Sequence, residues 1–128
     1  MKKVQEMITN MENDKKLLNE MYEKLGNDTT LCDLQKYEDL LIKVRGFSDE
    51  TAQDLMLLLT EEVGELAKEV RKVSTNIKMD VTSKKTIDVE LELADVFSYV
   101  LALARFYDIN LIDAFKRKEE KNMKRIWE

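Results

Sequence analysis

Apolar residues recur at helical spacing along most of the chain, beginning with Val4, Met7, Ile8, Met11, Leu17, Leu18, Met21, Tyr22 and Leu25. That pattern predicts a first helix, stopped where Gly26-Asn27-Asp28 favours a turn. Its stripe is rich in methionine and interrupted by Asp14, which suits an accessory or subunit-contact helix better than a core one. A second helix is expected over Leu31 to Val44, carrying Leu34, Tyr37, Leu41 and Val44, with Gly46 closing it. Ser48 reads as the N-cap of a third helix reaching Val73, with Asp49 and Glu50 in its first turn to favour the helix dipole. Residues 74–85 lack periodicity and read as a loop. The fourth helix, Thr86 to Tyr107, is apolar nearly all round, which predicts burial on most sides. Asn110 caps a last helix holding Leu111, Ile112, Phe115, Ile126 and Trp127, with Asp113 as a variant capping box.

The expected fold is all-α, an antiparallel bundle of about five helices in one structural domain. Residues 1–45 form accessory helices and 46–128 the core. With no proline and three glycines, few positions can break a helix. A chain of 128 residues buries a modest core, so oligomerisation is expected to complete the bundle. The absence of histidine argues against Ser-His-Asp triads and zinc sites. Cys32 is alone, so the reading is a reducing, cytoplasmic setting with the thiol as a small hydrophobe. No stretch approaches the ~20 apolar residues of a membrane span, and the polar start does not read as a signal peptide. A net charge of −5 disfavours binding to an extended nucleic-acid backbone.

Residues that break the packing pattern carry the chemistry. Within the stripe Leu55, Leu58, Leu59, Val63, Leu66 and Val70 of the third helix, Glu62 intrudes and Glu65 lies beside it. Spaced i and i+3, their carboxylates leave one face. Glu92 and Asp95 repeat the arrangement in the fourth helix. Four acids on two neighbouring helices require raised pKa values or a cation among them. Lys68 and Lys72 are expected to point along the outer face of their helix, away from that role. With oxygen donors only, a hard ion such as Mg²⁺, or Mn²⁺, fits better than zinc. The competing reading is a solvated stripe of surface ion pairs. Gly64, between the two glutamates, implies close approach of a packed helix or a ligand.

The string Leu59-Thr60-Glu61-Glu62-Val63-Gly64-Glu65-Leu66 resembles the Glu-Glu-x-x-Glu signature of MazG-type enzymes, and Glu92-Leu93-Ala94-Asp95-Val96 resembles their Glu-x-x-Asp signature. The similarity covers roughly Gly46 to Trp127. It implies two antiparallel helices whose acids hold Mg²⁺, in a homodimer or homotetramer, and cleavage of a nucleoside triphosphate to monophosphate and pyrophosphate, in nucleotide-pool house-cleaning. Glu62, Glu65, Glu92 and Asp95 are the implied metal ligands, and Glu61 the residue that orients or deprotonates the attacking water. Lys118 and Asn122 match the family's C-terminal Lys-x-x-x-Asn pattern and, with Arg125, are expected on one nucleotide-binding face at i, i+4 and i+7. That helix end carries six basic residues against two acidic ones between Lys116 and Arg125. Tyr99, one turn beyond Asp95, is placed to touch sugar or base. Relatives often carry an aromatic–histidine segment that contacts the base; here Arg45-Gly46-Phe47-Ser48 has the aromatic residue alone, which leaves base preference open. A phosphoribosyl-ATP pyrophosphatase and a non-catalytic helical interaction or nucleotide-binding module stay open as alternatives.

Overall fold

The computed structural model describes residues 1–80, 82 and 88–127. Among these there are five helices and no strand: α1 (Lys2–Glu23), α2 (Leu31–Arg45), α3 (Ala52–Ser74), α4 (Val89–Phe106) and α5 (Leu111–Asn122). The all-α expectation holds. Thr86 and Ile87, expected to open the fourth helix, lie outside the described residues. No described helix is long and apolar enough to cross a membrane. The chain divides into two compact units, Met1–Asp49 with Ala104–Glu128, and Glu50–Leu103.

In the first unit, α1 lies against α2, with Leu18 and Met21 half-buried and an ion pair of Asp14 with Lys43 at 2.8 Å. Asp14 interrupts the apolar stripe because it meets a charge there. Val4, Met7, Ile8 and Met11 stay exposed. Thr30 caps α2: its hydroxyl accepts from the Asp33 amide while the Asp33 carboxylate accepts from the Thr30 amide. Gly46 ends the helix in the left-handed region at φ 77°, a conformation that costs a side-chain-bearing residue more than glycine. Gln35 then joins α2 to the start of α5, donating to the Ile109 carbonyl and accepting from the Leu111 amide. Arg105, at the end of α4, donates to Asp39 of α2 at 2.6 Å. Cys32 is exposed, 3.8 Å from the Asn110 amide nitrogen, and is no part of a core.

In the second unit, α3 starts later than the sequence pattern suggests. Thr51, not Ser48, is the N-cap: its hydroxyl accepts from the Asp54 amide, and Asp54 accepts from the Thr51 amide at 2.8 Å. The reciprocal pair satisfies two amides that the first turn leaves without helical partners, and Ser48 has no acid three residues on to do the same. Glu62 of α3 meets Glu92 and Asp95 of α4, whereas Glu69 meets Asp88, so the partner's number falls as α3 advances. The two helices are therefore antiparallel.

The burial expected of α4 is not found in the single chain. Leu101, Ala102 and Ala104 are buried, but Leu91 is 59% exposed, Leu93 52% and Phe97 40%. One chain of this length does not carry enough further helix to cover every side of α4.

Thr51→Ala is expected to lower unfolding stability by about 1 kcal/mol, the usual cost of losing a helix cap. Ser48→Ala is expected to leave it within about 0.5 kcal/mol of the parent, as for an unengaged surface residue. Urea unfolding of the two variants checks the pair, and equal losses would contradict the assigned cap.

Candidate metal centre

Helical spacing of i and i+3 sends Glu62 and Glu65 from one side of α3, and Glu92 and Asp95 from one side of α4. Three of these four acids converge. Glu62, Glu92 and Asp95 each place a carboxylate oxygen within 4.8 Å of the other two. Glu65 stands at the margin, exposed, with its oxygen 3.9 Å from Lys68 Nζ, but its charge still acts on Glu62 and Glu92.

Convergence rather than depth distinguishes these acids. Glu62 and Glu92 are half-buried and Asp95 is exposed, which corrects the expectation that the α4 pair lies in the most buried segment. Partial burial, followed by the charges of Asp95, Glu92, Glu61 and Glu65, pushes the Glu62 carboxyl above the usual glutamate range. Glu92 is raised in the same way, by partial burial and then by Asp95, Glu65, Glu69 and Asp88. Asp95 is thus the neighbour whose charge bears most on both.

The donor set fits a small hard cation. Mg²⁺ binds oxygen at 2.0–2.1 Å, so ligands across its coordination sphere stand roughly 4 Å apart, comparable with the separation here. Carboxylates on both helices offer oxygen alone, without nitrogen or sulfur to favour zinc.

The surrounding residues divide into those that adjoin the acids and those that do not. Tyr99, half-buried one turn beyond Asp95, has its phenol pushed up by burial and then by Glu62, Glu50, Glu61 and Asp95. It therefore stands on the acidic side of α4. Glu61 is exposed on α3 beside Glu62. A Cβ added at Gly64 would meet no atom within 4 Å among the described residues outside its own stretch of helix, so no described helix packs against it.

Lys118, Asn122 and Arg125 belong to the other unit. Lys118 is exposed on α5, and Asn122 closes that helix with its amide nitrogen donating to Glu119 at 2.8 Å. Among the described residues, the Asn122 side-chain oxygen is buried without a hydrogen-bond partner. Arg125 lies past the helix end, its guanidinium 6.0 Å from the Trp127 ring centre, so helical spacing does not set it on the face of Lys118. Ile126 and Trp127 likewise fall outside α5. Past Asn122 the Lys124 and Arg125 amides close tighter turns, donating to the Lys121 carbonyl at 3.3 Å and the Asn122 carbonyl at 3.0 Å.

Lys72 departs from its expected outward direction. It pairs with Glu69, and both side chains are almost entirely buried. The sequence pattern singled out neither Glu69 nor its role, although Glu62, Glu65 and Glu69 share one face at i, i+3 and i+7.

Residues 50–126 match the model of the MazG nucleotide pyrophosphohydrolase domain. A crystal structure of YPJD from Bacillus subtilis, a proposed pyrophosphatase, is similar to this chain at 32% identity and a TM-score of 0.67. The likeness covers 79% of this chain and 100% of that one. No curated protein matches.

Glu62 and Glu92 hold their protons more tightly than free glutamates, so their ionisation opposes folding. That penalty is absent below the ordinary glutamate pKa and complete above the raised one, so the metal-free chain loses stability as pH rises through that window. Asp95→Asn is expected to raise the melting temperature of the metal-free chain at pH ~7 and to change it little at pH ~4. Thermal scans with chelator at both values check this, and an unchanged midpoint at neutral pH would contradict it.

Proposed function

The chain belongs to the MazG nucleotide pyrophosphohydrolase family, and from that membership we propose that it hydrolyses a nucleoside triphosphate to the monophosphate and pyrophosphate with Mg²⁺, or Mn²⁺, as cofactor. The observation that carries this reading is the convergence of Glu62, Glu92 and Asp95 from two helices inside the matched segment. A pyrophosphohydrolase must offset the charge of the phosphates and hold a water against phosphorus. Bound Mg²⁺ supplies Lewis-acid polarisation of phosphate oxygens and neutralises their charge.

The residues of the chain do the rest. Glu62, Glu92 and Asp95 hold the cation, and Glu65 completes the set. Glu61 orients or deprotonates the attacking water. Tyr99, on the acidic side of α4, contacts the sugar or base. Lys118, Asn122 and Arg125 bind the phosphate chain, Lys118 and Arg125 supplying the positive charge that offsets it. The substrate is a free nucleotide rather than nucleic acid, in keeping with the acidic chain, and house-cleaning of the cytoplasmic nucleotide pool is the role we assign.

The working enzyme is a homodimer or homotetramer. Support comes from α4, whose Leu91, Leu93 and Phe97 are left open to solvent in one chain. Residues 1–45, preceding the matched segment, act as an accessory part.

Glu92→Gln and Asp95→Asn are expected to reduce pyrophosphate release by at least about a hundredfold, since each removes an oxygen donor to the cation, with helical content unchanged. A panel of nucleoside triphosphates assayed with Mg²⁺ and circular dichroism checks both parts, and undiminished turnover by Asp95→Asn would defeat the assignment. Phe97→Glu is expected to halve the mass of the assembly in light scattering. A mass unchanged from the parent would remove α4 from the subunit contact.

A further inference from the structure

Glu69 is 7% exposed, the deepest carboxylate of α3, yet it is not among the converging acids. Both of its oxygens are engaged. Lys72 Nζ donates to Oε1, and the backbone amide of Asp88 donates to Oε2 at 3.0 Å. The Lys72 ammonium, followed by the Asp88 amide, holds its carboxyl below the usual glutamate range. An oxygen pair so occupied is poorly suited to coordinate a cation.

Its place in the chain gives it a different task. Asp88 directly precedes α4, and its carbonyl accepts the Glu92 amide at 3.1 Å, closing the first turn. The contact therefore fastens the entry of α4 to α3 at a point one helical turn before Glu92. Helices held at one point can still rotate and slide, and a shift of about 1 Å is enough to spoil a catalytic or metal geometry. Repulsion among Glu62, Glu65, Glu92 and Asp95 drives α3 and α4 apart where the acids meet. The Glu69 contact opposes that separation two turns along α3. Lys72 also compensates the charge of Glu69, which otherwise adds to the negative field at Glu92.

We propose that Glu69 is a positioning residue of the metal centre: held by Lys72, it locks the first turn of α4 onto α3 and so sets where Glu92 presents its carboxylate. This rests on the metal reading of the acidic cluster. The interaction resembles the outer contacts that orient metal ligands elsewhere, whose loss costs about 10–100-fold in metal affinity.

The test uses Mn²⁺ titrated without nucleotide into the full chain and followed by electron paramagnetic resonance. The parent, Asp95→Asn, Glu69→Ala and Glu69→Gln are compared. Glu69→Ala is expected to weaken Mn²⁺ binding about tenfold. Glu69→Gln keeps an acceptor for the Asp88 amide and is expected to recover most of that loss. Amide exchange at Asp88 should accelerate in Glu69→Ala and stay near the parent rate in Glu69→Gln. A purely structural role would lower the melting temperature of Glu69→Ala yet leave the Mn²⁺ affinity of its folded fraction alone. Parent-like Mn²⁺ affinity in Glu69→Ala, while Asp95→Asn loses binding, would overturn the positioning role and leave the metal centre standing. Equal affinity losses in Glu69→Ala and Glu69→Gln would also overturn it. Should the parent itself bind no Mn²⁺, both the metal reading and this proposal fall.

Discussion

Mutual repulsion among carboxylates from α3 and α4 is the constraint around which the second unit is arranged. Glu62, Glu92 and Asp95 bring like charges within 4.8 Å of one another, and Glu61, Glu65 and Glu69 add to the field. Folding alone gains nothing from such an arrangement, because like charges at this range oppose compaction. Two features resist it. Partial exposure lets water screen the charges, and the Glu69 contact with Asp88 ties the helices on the side of Glu62 that leads to the α3 C-terminus. On the proposed reading a cation would be the third, and its binding would convert a destabilising cluster into a reason for the ligands to stay where they are.

Local signals were readable where a short-range contact decides the outcome. Gly46 ends α2, and Asn110 caps α5 by accepting from the Asp113 amide at 3.1 Å. The start of α3 was misplaced because Ser48, as a favourable cap residue, precedes the true one. Thr51-x-x-Asp54 carries the fuller signal, since it satisfies two amides reciprocally. The far end of the chain shows the opposite limit. Lys118, Asn122 and Arg125 keep helical spacing in sequence, but nothing in the residue types announces that the helix stops at Asn122. Spacing predicts a common face only while the helix lasts.

Burial was harder to read than helicity. Glu65–Lys68 and Glu69–Lys72 are the same pair of residue types at the same spacing, one turn apart on α3. The first is an open, 3.9 Å contact between half-exposed side chains; the second is almost fully covered and also receives the Asp88 amide. An exposed pair of this kind contributes little to stability, whereas the covered one fixes a geometry. Only the second receives an amide from the entry of α4, an element distant in sequence, so no local pattern distinguishes them. The convergence of Glu62, Glu92 and Asp95 is legible in sequence because two spaced pairs in apolar runs form a pattern that does not depend on knowing what covers it.

The apolar character of α4 is legible in the sequence, but what covers it is not. Hydrophobicity states that a surface should leave water; it does not state which chain supplies the cover. Among the described residues of one chain the buried apolar ones are few: Leu41, Ile42, Leu55, Leu101, Ala102 and Ala104, with no large side chain fully enclosed. Such a core leaves little surplus over the entropy of ordering the chain. Leu91, Leu93 and Phe97 share their helix with Glu92 and Asp95, so whatever covers the former also fixes the rotation of the latter. On the proposed reading, association and metal binding would therefore act on one helix. A subunit contact along α4 would hold the ligands in register, and a cation between α3 and α4 would in turn hold the surface that the contact needs.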